Sequence, residues 1–277
     1  MGLELFDMHC HLGFSLNPKG LADGLAARRI GALSCGVDPA SYPVDRTQLA
    51  DCPNVRVGLG LHPWFAEDAR LSALERFEAA CSLPETRFIG EVGLDFSSRH
   101  ESTREEQLLA FGVVASAVAK AGSKLVSIHA VSSAAEVLDM LERSGALSVD
   151  AGNTIVFHWF SGTSDDLVRA RRAGCLFSIG ERMLQTRRGR AYAREIPADQ
   201  LLLETDLPAH EGASLHAGSV EASLQRSLDA LAEVRGENRG ELAALIASTS
   251  AQLVAADERA RRSIERACAE SDHVNAR

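Results

Sequence analysis

The chain is 277 residues long and carries 29 Lys and Arg against 38 Asp and Glu, a formal net charge of −9. An apolar fraction of 45% with 24% charged residues is ordinary for globular proteins and excludes the disordered and fibrous classes. The negative charge argues against broad, non-specific binding to a phosphate backbone, which depends on many Lys and Arg contacts, although bound metal can supply positive charge locally.

Eight short apolar runs read as strands, near Leu3–Met8, Ala32–Val37, Val55–Gly60, Arg87–Glu91, Lys124–Ile128, Thr154–Phe157, Cys175–Ile179 and Leu201–Glu204. Helical patterns fall between them, clearest at Glu67–Cys81, Glu101–Ala121, Ala134–Arg143 and Asp165–Ala173. Strand starts recur about every 28 residues, the length of one strand plus one helix. Eight such units predict an α/β fold, a TIM (β/α)8 barrel, with an open doubly wound sheet as the rival that periodicity alone does not separate. After Asp206 the pattern is helical at Ser219–Val234 and again over Arg239–Ala269. We expect one domain, with the barrel over about 1–235 and a C-terminal helical extension over about 236–277, because no Gly/Ser- or Pro-rich linker divides the chain.

The longest uncharged apolar stretch, Leu108–Ala119, is shorter than the roughly 18–20 residues of a membrane span. Glu4 and Asp7 sit where a secretory signal would be basic and apolar. A cytoplasmic protein with no membrane association is expected. The six cysteines are scattered without a CxxC, which suits reduced, mostly buried thiols better than a disulfide framework.

The histidines carry the chemical signal. Five of the nine, His9, His11, His62, His129 and His158, lie at or just past the end of a predicted strand. Glu91 and Asp206 occupy equivalent places. In a barrel these strand ends converge on one face, where barrel enzymes hold their active sites. Strand alternation puts His9 and His11 on the same side, so both imidazoles can ligate one ion, and Asp7 shares that parity and could orient them or the strand end. In Gly60-Leu61-His62-Pro63 the proline stiffens the exit and holds His62 at the mouth beside a substrate phosphate, an exposed loop histidine being the alternative. Glu91 emerges between Gly90 and Gly93, and a carboxylate there can bridge two cations. Asp95 can support it, but a helix cap is the favoured reading. His129 and His158, on consecutive strand ends, suggest a second metal position. Asp206, in Glu204-Thr205-Asp206-Leu207-Pro208, can ligate metal and accept the proton of an attacking water. Four imidazoles and two carboxylates suit two divalent ions, and their imidazole content favours Zn or Mn, with Mg at a weaker position.

In this order, Asp7-Met8-His9-Cys10-His11, Gly60-Leu61-His62-Pro63, Gly90-Glu91-Val92-Gly93-Leu94-Asp95, His129, His158 with Phe160-Ser161-Gly162, and Glu204-Thr205-Asp206-Leu207-Pro208, the motifs resemble those of the TatD-related deoxyribonucleases. That resemblance spans nearly the whole predicted barrel. It implies that His9, His11, Glu91 and Asp206 hold one metal and Glu91, His129 and His158 the second. It further implies phosphodiester hydrolysis of DNA, from the 3′ end of single-stranded or frayed substrate, with Asp206, Glu91 and His62 as catalytic residues. Two departures stand out: Val131 replaces an arginine usual in the family two residues after the strand-five histidine, and the Ala209–Ser219 loop contains no arginine. Phosphate recognition must therefore differ. Trp64 and Phe65 could stack on a base, packing against a neighbouring helix being the alternative, and His210 and His216 could serve the altered loop or be solvated.

Two other functions fit the same residues. One is hydrolysis of a small amide, ester or lactone, because barrels of this type run several chemistries on similar sites. The other is a nuclease subunit that depends on an unidentified protein partner, as in a defence complex.

Overall fold

In the computed structural model, which describes residues 2–66 and 71–255, the eight predicted strands are all present. They are β1 (Leu5–Cys10), β2 (Ile30–Cys35), β3 (Val55–Leu61), β4 (Phe88–Asp95), β5 (Leu125–Val131), β6 (Thr154–His158), β7 (Leu176–Ile179) and β8 (Leu201–Leu203). Each pairs in parallel with the next in sequence order. Helices cover the outside: α1 (Pro18–Ala27), α2 (Tyr42–Gln48), α3 (Leu71–Cys81), α4 (Arg104–Ala121), α5 (Ala134–Ser144), α6 (Ser164–Arg172), α7 (Glu181–Leu184), α8 (Arg187–Glu195) and α9 (Ala217–Arg235). The chain is a TIM (β/α)8 barrel, and the doubly wound alternative is excluded by the sheet order.

Residues just beyond β8 close the barrel on β1: the Asp206 amide donates to the His9 carbonyl at 3.0 Å and the His11 amide to the Leu207 carbonyl at 2.9 Å. Asp7, fully buried, accepts the Thr205 amide at 3.0 Å and its hydroxyl at 2.5 Å. Thus Asp7 ties the seam between first and last strands rather than binding an imidazole. Burial pushes its carboxyl up to about 7 against the opposing Thr205 bonds.

Two hydrophobic cores follow from strand alternation. One lies between sheet and helices, with Phe77, Phe111, Phe157, Phe160 and Phe177 among its members. The other gathers Phe6, Met8, Leu33, Cys35, Phe88, Leu125, Val156 and Leu202 from six strands, which only the barrel interior can do. Residues 239–255 are helical. Leu242 and Ile246 join the outer core and Val254 the inner one. The remainder of the predicted extension, residues 67–70 of the helical pattern expected over Glu67–Cys81, and Cys268 fall outside the described residues. The five described cysteines are free and buried.

Strand boundaries differ from expectation mainly at the site. Sequence periodicity stops β4 at Glu91, yet the strand runs on to Asp95, because Gly90 and Gly93 let it bend and pair again. Gly93 has φ +148°, and a Cβ there would lie 1.9 Å from the His129 carbonyl oxygen. Replacing it strains the backbone and forces β4 off β5. Gly93→Ala should lower the unfolding free energy by roughly 3 kcal/mol, read by denaturant titration. A loss below about 0.5 kcal/mol, the range of a neutral surface change, would refute that close approach.

Candidate metal centre

At the C-terminal ends of the strands a ring of imidazoles surrounds one buried carboxylate. Glu91 Oε1 lies 2.6 Å from His129 Nδ1, 3.0 Å from His158 Nε2 and 3.2 Å from His62 Nε2. Its Oε2 lies 3.3 Å from both His9 Nε2 and His11 Nε2. Asp206 Oδ1 adds contacts of 3.4 Å to His11 Nε2 and 3.9 Å to His9 Nε2. The barrel therefore brings together all seven residues predicted from the strand ends. Three overlapping groups have ligand atoms close enough to share an ion: His9, His11 and Asp206; His9, Glu91 and His158; and His62, Glu91 and His129. His62 thus stands within the ligand ring as well as at its mouth.

The rings are aimed by contacts on their far sides. His11 Nδ1 is 2.9 Å from the Cys35 carbonyl oxygen, which accepts from it, and His9 Nδ1 is 2.7 Å from Ser127 Oγ. Both leave Nε2 facing the carboxylates, the usual way in which a second bond sets tautomer and orientation of a metal-binding imidazole. His9 Nε2 is buried and, although 3.3 Å from Glu91 Oε2, makes no hydrogen bond, an orphaned nitrogen that a cation would satisfy. His158 stacks face to face on His9 at 3.9 Å between centroids, and its Nδ1 is 3.6 Å from Glu204 Oε2. Ser178 Oγ donates a short hydrogen bond to the same Glu204 oxygen.

Charge in the cluster is tightly coupled. Burial alone would raise the Glu91 carboxyl, but His62, His158 and His9 outweigh it and hold Glu91 well below the usual range. Asp206 is also lowered, burial being outweighed by the His11 hydrogen bond and the nearby His158 and His9. Burial opposes charge on His11, yet Asp206 and Glu91 carry it up to about 10. His9, pressed by burial and by His158, falls to about 4, and burial likewise lowers His62. Two ionised carboxylates are thus balanced by imidazole protons, and a divalent cation fills the same electrostatic role. The donor set and the orphaned His9 nitrogen fit metal.

Asp95 departs from its expected role. It caps no helix: it accepts the Trp64 indole N–H at 2.7 Å and the Ser97 amide at 2.9 Å, and its Oδ2 is 3.1 Å from His129 Nε2. Those bonds outweigh burial and keep it ionised. Trp64 is 52% exposed and stacks on the His100 ring at 5.1 Å, so it is not packed into a helix interface. Phe65 is likewise partly exposed. His210 is exposed at the cleft edge, its Nδ1 3.0 Å from the Glu211 carbonyl, and His216 precedes α9, exposed and outside the cleft lining. The expected 209–219 loop ends at His216, because α9 begins at Ala217, and it is anchored by the Leu16 amide donating to the Ala213 carbonyl at 3.0 Å.

Over the cluster opens a cleft of about 1270 Å³, with Trp64, Phe65, Trp159 and Arg182 in its walls. Sequence reasoning missed Arg182, whose Nη1 reaches Asp206 Oδ2 at 3.2 Å, because no motif surrounds it. It also passed over Glu204, although a carboxylate of the same strand end was the available signal. Among the described residues no helix is long and apolar enough to cross a membrane.

A family model described as TatD related DNase matches residues 6–254. Deoxyribonuclease TATDN3 of Homo sapiens is 28% identical over 223 residues, covering 75% of this chain and 79% of that protein. The 3'-5' ssDNA/RNA exonuclease TatD of Dickeya dadantii (strain 3937) is 33% identical over 152 residues, 54% of this chain and 55% of that protein. The crystal structure of YJJV, a TatD homologue from Escherichia coli k12, superposes with a TM-score of 0.71 at 21% identity, over 91% of this chain and 98% of that one.

Proposed function

Because the chain belongs to the TatD-related DNase family, we propose that it is a metal-dependent phosphodiesterase that trims single-stranded or frayed DNA from its 3′ end. The observation that carries this reading is Glu91, buried with each carboxylate oxygen facing its own set of imidazoles. That arrangement supports two divalent ions, with Zn or Mn favoured by the imidazole-rich donors and Mg at the weaker position. His9, His11, Glu91 and Asp206 would hold one, and Glu91, His129 and His158 the other. When bound, such ions supply a Lewis acid for the phosphate oxygens and lower the pKa of the attacking water.

The remaining work falls to the chain itself. Asp206 is 22% exposed on its side chain and held ionised, so it can take the proton that water loses on attacking phosphorus. His62 binds at the entrance: its Nδ1 accepts the Trp64 amide at 3.2 Å, which fixes the ring. Trp64 offers its exposed indole face to a base, with the ring held by Asp95 and His100. Asp95 positions His129 through Nε2 and Glu204 supports His158 from behind, so both imidazoles keep their aim. The named relatives that act on DNA or RNA support nucleic acid as the substrate.

The test is release of nucleotides from 3′-labelled and 5′-labelled single-stranded DNA with Mn, Mg or Zn, comparing wild type with His129→Ala. Early loss of the 3′ label is expected, with the variant slowed at least 100-fold, within the range for removing one catalytic contribution. Intact DNA and RNA after incubation with protein shown to contain metal would overturn the nuclease reading.

A further inference from the structure

We infer that Arg182 and Arg188 form a backbone-phosphate subsite for single-stranded nucleic acid on the α7–α8 wall of the cleft. The inference rests on the nuclease reading above and says where the strand is held. Among the described residues, these two are the only lysine or arginine side chains lining the cleft. Apart from the imidazoles of the cluster, its other charged side chains are carboxylates, with Glu91, Asp95 and Asp206 at the floor. In a protein of net charge −9, an approaching polyanion meets repulsion over most of the surface, so where the cations lie decides where it can settle.

The segment is built to present them. Residues 181–195 hold five arginines against two glutamates. Outside the cleft lining, Glu181 pairs with Arg226 and Arg190 with Glu233 at 3.5 Å, while Arg187 is exposed on the outer side. Arg194 is spent on the Val234 carbonyl at 3.1 Å. Arg188 is exposed and has no acceptor among the described residues. Arg182 is half exposed, its guanidinium 3.2 Å from Asp206 Oδ2 and 5.8 Å from the centre of the Trp159 ring. It therefore already stands beside the candidate ligand cluster. The turn beneath them is fixed: the Gly189 amide donates to Thr186 Oγ1 at 2.9 Å, and a Cβ on Gly189 would lie 2.0 Å from the Met183 carbonyl oxygen.

A planar guanidinium matches a phosphate with two parallel hydrogen bonds, and a part-exposed ion pair such as Arg182–Asp206 costs little to exchange for one. Arg182 then takes the phosphate nearest the carboxylates, and Arg188 a neighbouring one. Contacts of this kind read the backbone and not the base, so DNA and RNA are held alike.

Fluorescence anisotropy with a short labelled oligothymidylate and its oligouridylate counterpart tests the subsite, in EDTA so that no cleavage intervenes. Arg182→Ala and Arg188→Ala are compared with wild type and with Arg143→Ala, which removes an exposed arginine on α5. Each cleft variant should bind both oligomers about tenfold more weakly and flatten the slope of log Kd against log salt by about 0.7. Arg143→Ala should keep the wild-type slope, and Arg188→Lys should recover the slope without the full affinity. Wild-type affinity and slope in both cleft variants would overturn the subsite while leaving the nuclease reading intact. A loss confined to one of the two oligomers would overturn its assignment to the backbone. If wild type binds neither oligomer and metal-loaded enzyme cleaves neither, the nuclease reading falls and the subsite with it.

Discussion

Asp206→Asn should reduce kcat on single-stranded DNA by about 1000-fold, the middle of the range for removing a general base, while changing KM for the oligonucleotide little. The substitution keeps shape and one acceptor oxygen, so the 3.0 Å amide bond from Asp206 to the His9 carbonyl and the barrel seam survive. What is lost is an anion able to take a proton. In the native protein that anion is secured by the hydrogen bond to His11, 3.4 Å away, and by the nearby His158 and His9, so the carboxylate is ionised at neutral pH. A fall in kcat at constant KM is the signature of an interaction made in the transition state. Circular dichroism and metal content of the variant should be measured beside the rate. Retention of at least a tenth of wild-type kcat, with normal metal content, would remove Asp206 from proton transfer.

Adding Zn or Mn to metal-depleted wild type should raise its midpoint of thermal unfolding by about 5–10 °C. At a hundred times Kd, binding to the native state alone adds about 2.7 kcal/mol. For a domain approaching this size each kcal/mol is worth about 2–4 °C. The ligands come from β1, β4, β5, β6 and the segment after β8, so no preformed site exists in the unfolded chain. Glu91→Gln should lose most of that rise, because Glu91 touches all five imidazoles and a carboxamide neither bridges cations nor balances their charge. Its own midpoint should also fall, since removing one partner of a buried ionic cluster costs about 3–5 kcal/mol. The decisive quantity is the metal-induced shift in each protein: an equal rise in Glu91→Gln and wild type would show that metal binds elsewhere. A chelator should reverse the shift in wild type.

Much of the site was legible before any coordinates. His9 and His11 declare themselves because two residues apart on a strand is a ligand spacing in itself. His62, Glu91, His129, His158 and Asp206 became readable once the eight-unit pattern implied that all strand ends meet on one face. The fold followed from the same periodicity, apolar runs alternating with amphipathic ones at nearly constant spacing. Strand length was less accessible, as β4 shows: polarity at Glu91 looks like an ending, yet the backbone continues to Asp95 because Gly90 and Gly93 let it pass Ser127 and His129 closely. The Asp95 misassignment has a related origin. An aspartate shortly before a helix has the local pattern of a cap, and only the approach of β3 and β5 on either side places Trp64 and His129 within its reach.

What the sequence determined by itself is therefore the barrel, the strand ends and the residue types gathered there, all carried by local periodicity and short spacing. What the tertiary structure decided is which atoms meet: Glu204 behind His158, Asp7 across the seam to Thr205, Asp95 between an indole and an imidazole, and Arg182 over Asp206. These contacts join residues from 24 to 198 positions apart, and their distances depend on strand stagger, on how the barrel closes and on where each following turn leaves its strand. None of those quantities is encoded in a short window of sequence, because each is the summed outcome of packing eight strands against one another and against the helices outside.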